Sequence, residues 1–316
     1  MQRRTFLLYT LATSSLFAFD LGKYGNTKFE KMNKNLYVMH GVNANPDKDN
    51  QSFTHNITLI EAKNGLIVID PGLYTIGLHV LDEIKKVSEK PIIAIINTHD
   101  HHDHWFANAV LKDAYPNLKI YAHKLMKSAA IELYGGDYKH RGFTFDVAKK
   151  IVFADKLLDD GDKLTIDSES FYIQHPKNAH TNNDIAITHI NSNSIIMGDL
   201  LMESNLAHFG LNSSIYGNIE FLDKINQQQE YDLYIPGHGT SGDKAFCFTP
   251  YYTYMNIIKE EIVKYLKEDT LFIDVSEIRQ KIDMRLSWED NLNFDPSFLD
   301  GYIYALSSEV EDRELS

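Results

Sequence analysis

Residues 99–104 read His-Asp-His-His-Asp-His, four imidazoles and two carboxylates in six consecutive positions. Core packing asks for no such cluster. Imidazole and carboxylate are the ligand types of zinc and of non-haem iron. Residues two apart in extended chain point to the same side, so His99 and His101 can reach one ion together. Asp103 and His104 follow where the chain enters a helix, and they face a second point close by. A solvated His-rich loop explains any one of these residues. It explains poorly a cluster placed directly after a buried strand, where functional residues concentrate. Further donors stand downstream after short apolar runs: His180 after "FYIQHPKNA", Asp199 after "SIIMG" and His238 within "IPGHG". Each alone reads as an ordinary surface or turn residue. Together they describe ligands delivered by strand ends to one rim.

The elements that must carry these donors are visible in the pattern. "NLYVMHG", "NITLIEA" and "LIVIDPG" within residues 35–72 predict strands, and Asn64-Gly65 predicts a two-residue hairpin turn between the last two. "TIGLHVLDEIKKVSE" has helical apolar spacing, and "PIIAIIN" reads as a buried strand leading into the cluster. A helix is expected from about His104 to Asp113, then strand "LKIYAH" and helix "KLMKSAAIELYG". In the second half, "FYIQH", "IAITHI", "SNSIIMGDL" and "YDLYIPGHG" read as strands. The hairpin ending at Asp199 echoes the one ending at Asp70, a hint of two related β-rich halves. After residue 250 the pattern is helical: "YYTYMNIIKEEIVKYLKE", "VSEIRQKI" and the tail "LDGYIYALSSEVEDREL". Strands interleaved with helices give an α/β class.

Composition bounds the rest. The chain has 316 residues, 43% hydrophobic and 24% charged, with 18 Tyr and 17 Phe for an aromatic core. A net charge of −13 argues against nucleic acid or an anionic membrane surface as partner. A small-molecule substrate is expected, and no oligomeric state is read from the sequence. Cys247 is the single cysteine, so no disulfide forms within the chain and a cysteine-rich zinc site is excluded. Residues 1–19, "MQRRTFLLYTLATSSLFAF", carry early arginines, an apolar run and small residues, the plan of an export signal. Arg3 and Arg4 before Thr5-Phe6-Leu7 are similar to a twin-arginine signal. A periplasmic or secreted protein is expected, with no membrane contact beyond export.

The string His99-x-His101-x-Asp103-His104, with His180, Asp199 and His238 following in order, resembles the metallo-β-lactamase fold superfamily. "IDPG", "HTNNDIAI", "MGDLL" and "IPGHG" match its auxiliary motifs, so the likeness spans roughly residues 35–245. It implies a four-layer αβ/βα sandwich, here with helical C-terminal additions. The expected plan is an export signal over 1–19, the fold domain over 20–250 and a helical extension over 251–316 packed on it. The resemblance implies two divalent metal ions, zinc first, with iron or manganese as alternatives. His99, His101 and His180 would hold the first ion, Asp103, His104 and His238 the second, and Asp199 would bridge. Asp103 would also be the catalytic group that orients a metal-bridging hydroxide. Asp70 would support the site from behind, and Asp184 would orient His180 or its loop. Asp100 and His102 fall at spacer positions. His40, His55, His79, His123, His140, His175, His189 and His208 are expected to be structural or surface residues, with His175 and His208 as minor pocket candidates.

The implied activity is a metallo-hydrolase acting on an ester, thioester, lactone or lactam-like substrate. No G-x-S-x-G offers a serine nucleophile. Cys247 stands past His238 and cannot fill the Cys ligand position of some true β-lactamases. The tail containing Trp288 is also similar to periplasmic members linked to sulphur oxidation and quinoprotein systems. The alternative class is a di-iron or mononuclear-iron redox protein of sulphur metabolism, or a metal-binding accessory protein. The segment "MESNLAHFGLNSS" and Tyr134, Tyr138 and Arg141 are candidate pocket walls.

Overall fold

The computed structural model describes residues 27–315 apart from 45, 48, 136–149, 211, 269–272 and 286–295. The export segment, Tyr138, His140, Arg141 and Trp288 lie outside the described residues. Two sheets face each other. The first has strands β1 (Glu30–Lys31), β2 (Leu36–Met39), β3 (Ile57–Glu61), β4 (Leu66–Ile69), β5 (Ile92–Ile96), β6 (Lys119–His123) and β7 (Lys156–Leu158), in that order. Its first four strands are antiparallel neighbours, and β4 through β7 run parallel. The second sheet has β8 (Lys163–Ile166), β9 (Glu169–Gln174), β10 (Ala186–His189), β11 (Ser194–Ile196) and β12 (Leu233–Ile235). It is antiparallel except for the β11–β12 pair. Each half therefore contains a hairpin whose second strand runs parallel to the next one, β3-β4-β5 and β10-β11-β12. The sequence echo between Asp70 and Asp199 has this shared geometry beneath it.

Period-2 side-chain alternation sorts the apolar residues into layers. In β4, Ile67 and Ile69 face the second sheet while Leu66 and Val68 face outward. In β10 and β11, Ile187 and Ile196 face the first sheet, and Ala186 and Ile195 face outward. Burial on both faces explains why these strands read as unbroken apolar runs. Helices α1 (Gly77–Val87) and α3 (Asn108–Ala114) cover the first sheet through Val80, Leu81, Ile84 and Leu111. Helix α5 (Ile215–Asn226) with the C-terminal helices α6 (Thr249–Lys267), α7 (Val275–Arg285) and α8 (Pro296–Val310) covers the second. The result is a helix-sheet-sheet-helix sandwich, the α/β architecture expected.

Two local expectations shift. The hairpin between β3 and β4 turns at Lys63-Asn64, because the Ala62 N–H donates to the Gly65 carbonyl at 2.9 Å. Gly65 keeps a non-positive φ and is needed instead for space, since a Cβ there would stand 2.4 Å from Ile93 Cγ2. The helix expected over His104–Asp113 is two helices, a short α2 (His102–Trp105) and α3. The chain breaks between them because the Ala107 N–H leaves the helical ladder to donate to the Gly72 carbonyl at 2.7 Å. Helix α4 (Met126–Tyr134) follows β6 as predicted, whereas β7, β8 and α5 have no counterpart in the sequence reading.

The C-terminal helices do more than cover a sheet. The Glu309 carboxylate of α8 accepts from the Ser214 hydroxyl and from the Ile215 N–H at 2.9 Å, capping the start of α5. Replacing Glu309 with Ala should lower unfolding free energy by about 2 kcal/mol, the scale of a lost charge-assisted bond pair. Denaturant unfolding of the two proteins measures this directly.

Candidate metal centre

Every donor singled out in the sequence sits at the end of an element on one edge of the sandwich. Residues 97–101 follow β5, α2 carries Asp103 and His104, His180 precedes β10, Asp199 follows β11, and His238 follows β12. Two groups form. Donor atoms of His99, His101, His180 and Asp199 lie within 4.8 Å of one another, and so do those of Asp103, His104 and His238. The rings of His99, His101 and His180 surround one point with centroid separations of 4.9, 4.9 and 4.6 Å. Asp199 faces both groups. Its Oδ2 is 3.4 Å from His180 Nε2 and 3.7 Å from His99 Nε2. Its Oδ1 is 3.3 Å from His104 Nε2 and 3.5 Å from His238 Nε2. Asp103 Oδ2 completes the second group, 3.5 Å from His238 Nε2 and 3.7 Å from His104 Nε2.

Buried support fixes which atoms face inward. Asp70, at the end of β4, accepts from the Thr98 N–H at 2.8 Å, the Thr98 hydroxyl at 2.6 Å and His104 Nδ1–H at 2.9 Å. The Thr98 hydroxyl proton is thereby committed, so Thr98 Oγ1 accepts from His99 Nδ1–H at 3.0 Å. Both imidazoles are held in the tautomer that presents Nε2 to the site. Asp184 accepts from the Thr181 N–H at 2.6 Å and the Thr181 hydroxyl at 2.8 Å, bracing the loop that carries His180. Asp100 has a role that the sequence did not display. Its buried carboxylate accepts from Asn183 Nδ2 at 2.8 Å, and its carbonyl accepts from Trp105 Nε1 at 2.8 Å. It ties the first ligand loop to the His180 loop. The spacer His102 donates its backbone N–H to the Tyr134 hydroxyl at 2.9 Å, which occupies Tyr134 with loop support.

The electrostatics suit cations. Burial raises the Asp199 carboxyl, but His238, His104 and His99 outweigh it and hold the group well below its usual range. Burial likewise opposes ionisation of Asp103, and the imidazoles of His104, His102, His238 and His55 overcome it. Burial keeps His99 and His180 neutral, well below the ordinary imidazole value. His99 Nε2, His104 Nε2 and Asp199 Oδ1 are buried with no hydrogen-bond partner. Buried acceptors without partners are costly. Three of them converging among ionised carboxylates fit divalent ions in place of hydrogen bonds.

Of the histidines set aside in the sequence, His189 pairs with Glu169 at 2.8 Å, and His175 stacks on His123 with centroids 3.8 Å apart. His40 bonds Ser241 at 3.0 Å, and His79 bonds the Thr27 carbonyl at 3.2 Å. His208 is exposed on the loop after Leu201. Among the described ones, His55 alone is wholly buried with no partner at either ring nitrogen, and it lies against the second group. A histidine ahead of β3 carries no motif, so no sequence signal marks it.

Comparison with known proteins agrees with this geometry. The family profile of the metallo-beta-lactamase superfamily matches residues 52–238. A probable metallo-hydrolase of Methanocaldococcus jannaschii is 27% identical over 207 residues, 62% of this chain and 93% of the relative. A hydroxyacylglutathione hydrolase of Gloeobacter violaceus is 34% identical over 104 residues, 32% of this chain and 38% of the relative. Among solved structures, a metallo-beta-lactamase from Pontibacter korlensis superposes with a TM-score of 0.57 at 13% identity, covering 73% of this chain and 99% of that one. The sec-alkylsulfatase Pisa1 of a Pseudomonas species reaches 0.68 at 13% identity, over 90% of this chain and 50% of that one.

Asp70→Asn tests the supporting network. The amide offers one acceptor oxygen where three donors converge, so His99 and His104 lose their fixed tautomer. Affinity for zinc should fall about 10–100-fold, the usual cost of losing such a partner. Competition with a chromophoric chelator reads the change.

Proposed function

The chain belongs to the metallo-beta-lactamase superfamily, and from that premise we propose an exported hydrolase with a two-metal centre. Its substrate is an ester, thioester, lactone or lactam-like molecule. Family and relatives make the chain a metallo-hydrolase; the ion count, the ion and the substrate class are our reading. The observation that carries it is the Asp199 carboxylate, with one oxygen turned to each group of donors. In this reading His99, His101 and His180 would hold one ion, Asp103, His104 and His238 would hold the other, and Asp199 would serve both. Two such ions, zinc first with iron or manganese as alternatives, would supply a bound water of strongly lowered pKa and a Lewis acid for the substrate oxygen. Asp103 is the residue placed to orient the attacking water. Its carboxylate is held ionised, and its Oδ1 lies 4.0 Å from His102 Nδ1. Asp199 and Asp70 spread negative charge around the donors, which favours keeping cations in place.

The loop after Leu201 supplies one wall. Phe209 packs edge-on against His180 with centroids 5.7 Å apart and against Tyr302 of α8 at 5.4 Å. The Tyr302 hydroxyl donates to the Ala207 carbonyl, pinning the loop. An aromatic ring beside a ligand suits an uncharged, apolar group next to the scissile bond.

Purified protein should contain two zinc ions per chain. It should turn over at least one member of a panel of β-lactam, lactone, hydroxyacylglutathione thioester and secondary alkyl sulfate. His101→Ala and chelation should each lower kcat/KM about 10³-fold or more, because several kcal/mol of charge stabilisation leave with the ion. Activity surviving both sinks the hydrolase. Bound iron with a visible charge-transfer band and no hydrolysis points to the redox alternative. For export by the twin-arginine route, replacing Arg3 and Arg4 together by Lys should sharply lower periplasmic yield. An unchanged yield removes that route.

A further inference from the structure

We propose that His55 is a positioning residue of the second metal position, giving a ring N–H to the non-protein oxygen ligand held among Asp103, His104 and His238. The inference rests on the two-metal reading above and adds a residue that the ligand motif does not contain.

His55 is 0% exposed, and neither Nδ1 nor Nε2 has a hydrogen-bond partner. A buried imidazole left in that state is costly, because water solvates both nitrogens in the unfolded chain. An aromatic hydrocarbon of similar size would fill the same slot without the cost. The fold nevertheless makes room for it. Gly72 takes φ +97°, and a Cβ there would stand 2.4 Å from His55 Nε2. The Pro71-Gly72 turn thus admits the ring only because residue 72 has no side chain. That turn also receives the chain of α2: the Gly72 N–H donates to the His104 carbonyl at 3.1 Å.

The ring's neighbours are those of the second position. His55 packs on His104 at 5.5 Å between centroids, the same separation as His104 from His238. Its backbone bridges to that of His238. Asn56, the next residue, grips the loop carrying His238 by donating Nδ2 to the Pro236 carbonyl at 2.9 Å and the Gly239 carbonyl at 2.8 Å. Phe53 closes the far side edge-on at 5.1 Å. The charged and titratable groups that His55 feels are Asp103, His104, His238 and Asp199, with Asp103 foremost. Yet no carboxylate bonds it, and the Nδ1 of its neighbour His104 is taken by Asp70. Among the described residues, protein atoms therefore give this ring nothing to bond. What remains within the second group is the oxygen ligand that protein donors do not supply.

The test compares wild type with His55→Phe and His55→Gln in zinc titrations followed by calorimetry and chelator competition. Thermal melting of the metal-free proteins is read alongside. Wild type should bind two equivalents. His55→Phe should keep the first and weaken the second by about 10–100-fold. His55→Gln, whose amide can donate, should recover most of the loss. Metal-free His55→Phe should melt no lower than wild type, because it removes an unpartnered polar ring. In a His238→Ala background, which already lacks a second-position donor, His55→Phe should leave the remaining equivalent unchanged. Unaltered affinity for both equivalents in His55→Phe overturns the inference alone, whatever the melting temperature. A single equivalent in wild type overturns the two-metal reading and this inference with it. Should His55→Phe not fold, His55→Leu is judged by the same comparison.

Discussion

The Asp70 carboxylate is the interaction on which the centre depends. It is buried, and it accepts three hydrogen bonds from two residues on different elements. Thr98 lies just past β5, and His104 lies in α2. Asp70 itself stands past β4 with φ of 52°, a left-handed backbone that Asp tolerates better than most residues. Charge-assisted bonds are roughly twice as strong as neutral ones, so this one anion can fix two imidazoles at once. His104 is fixed directly and His99 through the Thr98 hydroxyl. One of these belongs to each donor group. The Thr98 carbonyl also accepts from the Ile185 N–H at 2.9 Å, which ties the network to the second sheet near β10. The two halves of the sandwich thus meet where the donors must be held most accurately.

The ligand string was legible because its information is local. Two residues apart in extended chain, and three or four apart in a helix, are short-range geometric rules that survive any tertiary setting. The inner strands were legible for a related reason: burial on both faces leaves no polar alternation, so "LIVI" and "IIAII" stand out. The edges were harder. β7 and β8 are three and four residues long and partly exposed, so their side chains carry little apolar pattern. The start of α5 depends on Ser214 and on Glu309 from α8, ninety-four positions away from Ile215. The break between α2 and α3 is likewise set by a carbonyl outside the helix. Local propensity in "WFANAV" favours one continuous helix, and the Gly72 carbonyl overrides it.

The same contrast explains what the site concealed. Asp100 looked like a spacer because its partner, Asn183, is 83 positions away. Its side chain holds the two ligand loops together. His55 looked ordinary because nothing in its own neighbourhood names a metal. The structure marks it by a physical inconsistency: a polar ring in a slot cut for it, with every protein partner already committed. Such a mismatch calls for a physical account.

The donors and the wall are built by different parts of the chain. The donors rest on Asp70, Thr98, Asp100 and Asp184, all within or beside the two sheets. The loop bearing Phe209 rests on the C-terminal helices, through Tyr302 at Ala207 and Glu309 at Ser214 and Ile215. Those helices share one apolar core with the outer face of the second sheet, from Ala186 and Ile195 to Leu306 and Val310. The two systems touch where the ring of Phe209 meets the ring of His180, and where the Ser214 N–H donates to the Ala179 carbonyl at 2.7 Å beside His180. The C-terminal helices therefore reach both the loop beside the donors and, through Ser214, the loop that carries His180, so residues more than a hundred positions from the 99–104 motif help to hold its partners in place.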